Sequence, residues 1–240
     1  MLISDPANRR IEAFERSLRG NGTRPDTGPL FTGVDLGTAY IVTAIVDHAG
    51  RPVAGALTRS RSSIRDGLIL DYVGAIAILR QQLAELAAAG FAPSLAAAAY
   101  PPGTTGRNAQ AFGNVLRAAG LEPVGLIDEP SAAALALDIS DGAVVDIGGG
   151  TTGISVLREG RVIYTADEPT GGIHLDLVLA GHYRIPTHEA EAIKTTPSRQ
   201  EEVFPLVRPV FQKMAAIVRQ HLAQCSTHTL YLVGGTSCFP

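Results

Sequence analysis

Two stretches decide the fold: Gly33-Val34-Asp35-Leu36-Gly37-Thr38-Ala39-Tyr40 and Val144-Val145-Asp146-Ile147-Gly148-Gly149-Gly150-Thr151-Thr152. Each is an apolar run that meets an Asp, turns through glycine and leaves through threonine. Each is followed by an apolar strand (Ile41 to Val46, and Ile154 to Leu157). A tight glycine turn then comes, Asp47-His48-Ala49-Gly50-Arg51 in one case and Arg158-Glu159-Gly160-Arg161 in the other. One such copy alone reads as a buried strand closing in an ordinary Asp-containing turn. Two copies with matched hairpins read as two related lobes, each offering a phosphate loop to a shared cleft.

The residue types suit that chemistry. A phosphate approaching a backbone needs N–H donors and no Cβ in its path, and glycine supplies both. Thr38, Thr151 and Thr152 add hydroxyl donors. A carboxylate beside phosphate repels it unless a hard cation stands between them. Asp35 and Asp146 are therefore expected Mg²⁺ partners, acting through metal-bound water.

Composition narrows the field. The chain has 240 residues, 45% of them hydrophobic, enough for one large or two small cores. Its 20 basic and 23 acidic residues leave a net charge of −3, which gives no nucleic-acid footprint. Tryptophan is absent and aromatics make up 5%, which argues against stacked single-strand recognition. Cys225 and Cys238 form no disulfide framework, and a reducing cytoplasm is the simplest compartment. No apolar run reaches the roughly 18 residues of a membrane span. The early Asp5, Arg9, Arg10 and Glu12 replace a signal-peptide core. His174, His182 and His188 match no zinc spacing.

Strands then alternate with helices, which predicts an α/β fold. Ile11, Phe14 and Leu18 share one face of a short N-terminal helix, followed by a Gly/Pro/Asn-rich linker to residue 29. That helix either docks on a partner or frays or lies on its own domain. Ile64-Arg65-Asp66-Gly67 marks a turn. Asp71 is an expected cap for a helix from Tyr72 to about Ala89, with Val73, Ile76, Leu79, Leu83 and Leu86 as its apolar stripe. Leu95 to Tyr100 and Val124 to Ile127 read as strands, with a helix between them ending near Gly120. In the second half, helices are expected from about Ile173, over His188 to Lys194, and from Val210 to about Ala223 after Pro205 and Pro209. Leu230 to Val233 is the last strand. The lobes are expected at about 30–140 and 141–240.

The three glycine loops in order resemble the two phosphate motifs and the adenosine motif of the actin/Hsp70/sugar-kinase ATPase superfamily. Leu126-Ile127-Asp128-Glu129-Pro130-Ser131-Ala132-Ala133-Ala134-Leu135 resembles the connecting helix of Hsp70 and the bacterial actin MreB, and Ile64 to Asp71 also resembles MreB. Arg65-Asp66-Gly67, Pro101-Pro102-Gly103-Thr104, Val145 to Gly153 and Ala166 to Gly172 are similar to an Hsp70-like family of ethanolamine-utilisation accessory proteins from bacterial microcompartment operons. The match runs from about Phe31 to Ser237.

The resemblance implies an actin-like ATPase fold with duplicated ribonuclease H-like lobes, and ATP or ADP with Mg²⁺ as cofactors. It implies that Asp35 and Asp146 organise Mg²⁺ and water. Gly37, Thr38, Gly148, Gly149, Gly150 and Thr151 would contact phosphates. Glu129 would link water positioning to closure; an acid favoured by the helix N-terminus is the plainer account of the same residue. Glu191 and Lys194 would lie against the nucleoside, although that spacing is also a common surface ion pair. Gly234, Gly235 and Thr236 would meet the adenosine. Implied partners are microcompartment enzymes or shell proteins, with self-association as a further expectation and with no nucleic acid and no membrane. Two departures stand out. There is no lysine between the first hairpin and Pro101, where Hsp70 carries one that reaches the transferred phosphate. The related proteins also continue past the adenosine loop into a helix that returns to the first lobe. Two functions follow: a slow ATPase acting as a chaperone-like switch, or a non-hydrolysing scaffold. A polymerising filament and a small-molecule kinase are less well supported by these residues.

Overall fold

The computed structural model describes residues 5–20, 28–60, 64–65, 68–69 and 71–239. The expected turn at Asp66-Gly67 and the linker over 21–27 fall outside them. The chain divides into two compact units, Met1–Asp138 and Ile139–Pro240.

The first unit opens with α1 (Asp5–Leu18) and the meander β1 (Phe31–Leu36), β2 (Tyr40–Val46) and β3 (Pro52–Arg59). A short ladder, β4 (Ile64–Arg65) with β5 (Leu68–Ile69), precedes α2 (Tyr72–Ala88). Then come β6 (Leu95–Tyr100), α3 (Arg107–Ala119), β7 (Glu122–Asp128) and α4 (Glu129–Ala136). The sheet order is β3-β2-β1-β6-β7. β1 runs antiparallel to β2 and parallel to β6, and β6 is parallel to β7. Alternation along β1 sends Val34 and Leu36 inward, where they meet Leu79 of α2 and Phe112, Val115 and Leu116 of α3.

Asp71 caps α2 by accepting from the Gly74 N–H at 2.8 Å. The buried stripe of that helix is Ala75, Leu79, Gln82 and Leu86, and Val73 faces out at 80% exposure. Of the expected stripe, Leu79 and Leu86 are buried and Ile76 and Leu83 pack against the core, so Val73 alone falls outside it; the stripe also takes in Ala75 and the polar Gln82. Gln82 is fully buried and fully employed. Its amide donates to the Ile41 carbonyl at 2.7 Å and to Thr58 Oγ1 at 3.0 Å, and its Oε1 accepts from Thr43 Oγ1 at 2.7 Å. These bonds offset the cost of removing the amide from water.

The N-terminal helix lies on its own unit. It packs along β3, where a Cβ on Gly55 would stand 2.6 Å from the Phe14 ring and 3.2 Å from Leu18. Arg10 donates to the Ala136 carbonyl at 2.6 Å, tying α1 to the end of α4. Phe14 and Leu18, two of the three residues of the expected stripe, thus face the sheet, whereas Ile11 is 55% exposed.

The second unit repeats the meander as β8 (Gly142–Ile147), β9 (Thr152–Arg158) and β10 (Arg161–Glu168). It continues through α5 (Gly172–Tyr183), α6 (Thr187–Lys194), α7 (Gln200–Leu222) and β11 (Leu230–Val233). The sheet order is β10-β9-β8-β11, with β11 parallel to β8. Pro205 and Pro209 sit inside α7 rather than ahead of it. Each forfeits one backbone hydrogen bond. The helix runs through them because Val203 and Val207 are buried against Leu175, Leu179 and Ala190, and that burial outweighs the lost bonds.

The two meanders place their aspartates at equivalent register positions. Asp35 is the penultimate residue of β1, opposite Val42 and, on the parallel side, Ala99. Asp146 is the penultimate residue of β8, opposite Gly153 and, on the parallel side, Val233.

Candidate phosphate and nucleotide loops

In the first unit β1, β6 and β7 run the same way, so the loops that leave them gather at one edge of the sheet. That is where ligands sit in open α/β sheets. The edge collects Asp35, Gly37 and Thr38 from β1, Pro101 to Thr104 from β6, and Asp128 and Glu129 from β7. Gly37 is required by the tightness of its turn: a Cβ there would lie 2.6 Å from the Tyr40 carbonyl oxygen. The Ser60 N–H donates to the Ala39 carbonyl at 2.8 Å and holds the turn against the end of β3. Asp35 and Thr38 are half-buried beside it. Glu129 opens α4, whose cap is Asp128: its carboxylate accepts from the Ser131 N–H at 3.0 Å. Glu129 is thus placed as a first-turn acid at the same sheet edge as Asp35. Both residues make further interactions.

In the second unit the loops after β8, β10 and β11 meet in direct contact. Gly148 closes its own turn by donating to the Thr151 carbonyl at 3.0 Å. The Gly148 carbonyl accepts from the Gly172 N–H at 3.0 Å and from Thr236 Oγ1 at 2.8 Å, and the Gly149 carbonyl accepts from the Ile173 N–H at 2.8 Å. The start of α5 presses so closely that a Cβ on Gly171 would stand 2.7 Å from the Gly149 oxygen. Thr152 Oγ1 donates to the Thr170 carbonyl at 2.6 Å from beneath. Gly148, Gly149, Gly150, Thr151, Gly234, Gly235 and Thr236 are therefore one constellation, joined by Gly171 and Gly172.

Asp146 lies under this loop. Burial pushes its pKa up to about 6 from the usual carboxylate value. Gly234 makes room for it, because a Cβ there would stand 2.3 Å from Asp146 Oδ1. A desolvated carboxyl beside a glycine cradle fits a hard cation carried by a phosphate, which would restore the charged form.

Lys194 points to α5. Its Nζ stands 2.7 Å from Asp176 Oδ1, with the two side chains 14% and 9% exposed, and 3.3 Å from the Gly172 carbonyl. Glu191 is half-buried on the same helix. Asp176 escaped the sequence reading, although a signal was present: it is the single acid of a strongly apolar helix, Gly172-Ile173-His174-Leu175-Asp176-Leu177, and buried carboxylates are almost always paired. Among the described residues, no group of three or more His, Cys, Asp and Glu side chains could by itself hold a metal, so any cation here must arrive with further ligands.

The family model for MreB/Mbl protein matches residues 55–227. The ethanolamine utilization protein EutJ of Escherichia coli strain K12 is 45% identical over 213 residues, covering 88% of this chain and 74% of that protein. The crystal structure of ethanolamine utilization protein EutJ from Carboxydothermus hydrogenoformans superposes with a TM-score of 0.90 at 48% identity, covering 97% of this chain and 86% of the other. MreB5 of Spiroplasma citri bound to ADP shares the fold with a TM-score of 0.68 at 19% identity, over 88% and 86% of the two chains.

Proposed function

The chain belongs to the EutJ family, with the actin-like ATPase fold of the wider actin and Hsp70 superfamily, and on that premise we propose that it is a Mg-ATP-dependent switch serving ethanolamine utilization as a chaperone-type accessory protein. The observation that carries the reading is the convergence of three loops on the Gly148 and Gly149 carbonyls, above a desolvated Asp146. Backbone amides of the loop take phosphate oxygens. Asp146 would hold Mg²⁺ through water, and Asp35 stands at the matching place in the first unit; the cation would neutralise phosphate charge. Glu129, at the head of α4, would orient water toward the terminal phosphate for slow hydrolysis. The clients would be microcompartment enzymes or shell proteins. A non-hydrolysing scaffold for those clients is the second reading, favoured by the absence of any lysine between residues 52 and 100. A missing cationic contact costs phosphoryl transfer more than it costs binding.

Thermal melting with Mg-ATP, Mg-ADP or EDTA, paired with phosphate release, tests this. At a ligand concentration of 100 times Kd the native state gains about 2.7 kcal/mol, and Asp146→Ala is expected to abolish the metal-dependent part. Glu129→Gln is expected to change Mg-ATP affinity by less than about tenfold and turnover by more. Nucleotide-induced stabilisation without phosphate release in the unaltered protein selects the scaffold. No shift with either nucleotide at millimolar concentration rejects the switch and leaves the scaffold.

A further inference from the structure

The peptide joining Gly148 to Gly149 is planar and trans, so its carbonyl and its N–H point in opposite directions. Whatever fixes the Gly148 carbonyl therefore aims the Gly149 N–H. Two donors fix it: the Gly172 N–H at 3.0 Å and Thr236 Oγ1 at 2.8 Å. The next peptide is held the same way, since the Ile173 N–H binds the Gly149 carbonyl at 2.8 Å and so aims the Gly150 N–H. Two successive amides are thereby turned away from α5, the arrangement that makes a concave anion site. The fit around the hydroxyl is close: a Cβ on Gly172 would stand 2.4 Å from Thr236 Oγ1. Thr236 reaches this point across 88 residues of chain, from the turn after β11.

We infer that Thr236 is a positioning residue for the phosphate loop, its hydroxyl aiming the Gly149 amide, and that it does not read the nucleoside. This rests on the nucleotide-binding reading and assigns the turn after β11 a part in binding the phosphate portion of the ligand. Thr236→Val keeps the shape and removes the donor; Thr236→Ser keeps the donor.

The experiment measures affinity for Mg-pyrophosphate, Mg-ADP and adenosine, with amide hydrogen exchange at Gly149, Gly150 and Gly172 in the ligand-free protein. In Thr236→Val, pyrophosphate and ADP binding are expected to weaken together, by about three- to tenfold, the scale of one hydrogen bond. Adenosine binding is expected to hold, exchange at Gly172 to quicken, and Thr236→Ser to restore both. Loss of ADP and adenosine binding with pyrophosphate unchanged would place the hydroxyl on the nucleoside and overturn the inference. Equal loss of all three, or exchange unchanged in Thr236→Val, overturns it as well. If the unaltered protein binds none of the three probes, the nucleotide reading fails, while exchange still decides whether Thr236 holds the loop.

Discussion

Gly234→Ala is expected to destabilise the second unit by about 3–5 kcal/mol, the upper end of single-substitution effects. Two independent causes act at that position. Its backbone has φ +86° and ψ 153°, a region in which a side chain is strained. The added Cβ would also meet Asp146 Oδ1 at 2.3 Å and the Ile147 carbonyl oxygen at 2.5 Å. The second contact is with backbone at the end of the central strand, which cannot swing aside. Relief must come from β8 or from the turn after β11, and either movement displaces the loop at Gly148. The neighbouring Gly235→Ala is the control, because its Cβ would meet nothing within 4 Å. Chemical denaturation of the two variants is expected to separate them by at least about 2 kcal/mol. Equal stability would mean that the turn relaxes freely.

The second large effect is at Asp146, and its sign depends on pH. The carboxyl titrates near 6 in the folded chain because burial disfavours its charge. A pKa raised on folding means that the folded state holds the proton more tightly than the unfolded state. The stabilisation from that proton is complete below about pH 4 and is lost as pH rises through 6. Asp146→Asn is neutral throughout. It is therefore expected to be more stable than the parent by about 1–3 kcal/mol at pH 8, with the gap closing by pH 4. Melting temperatures of both proteins across pH 4–8, without nucleotide or metal, measure this. A variant less stable than the parent at pH 8 would show that the carboxylate has a partner that outweighs its desolvation. In the presence of Mg-ATP the order is expected to reverse, because the asparagine has no charge to offer the cation.

These sites differ in how far the sequence revealed them. The duplicated meander was readable because period-two alternation and the Gly turns are local signals, and the matched places of Asp35 and Asp146 follow from strand register alone. The cap of α2 was equally local. What sequence concealed was tertiary. Gln82 holds the centre of a buried stripe only because Ile41, Thr43 and Thr58 come to it from other strands. The prolines of α7 are tolerated because the opposite face of that helix is buried. The role of Thr236 depends on a carbonyl far away in sequence. Lys194 illustrates the same limit: its spacing from Glu191 gave no sign of Asp176, the acid on another helix that it meets in the structure.

That pairing also has a practical consequence for anyone labelling the protein. The sequence holds two lysines, Lys194 and Lys213. One is exposed on α7, and the other has its ammonium enclosed against α5. Acylating reagents need an uncharged, accessible amine, so a dye ester will tag Lys213 and spare Lys194 for as long as α5 and α6 stay together. Late acylation of Lys194 becomes a clock for the parting of those helices, readable by mass without any engineered probe.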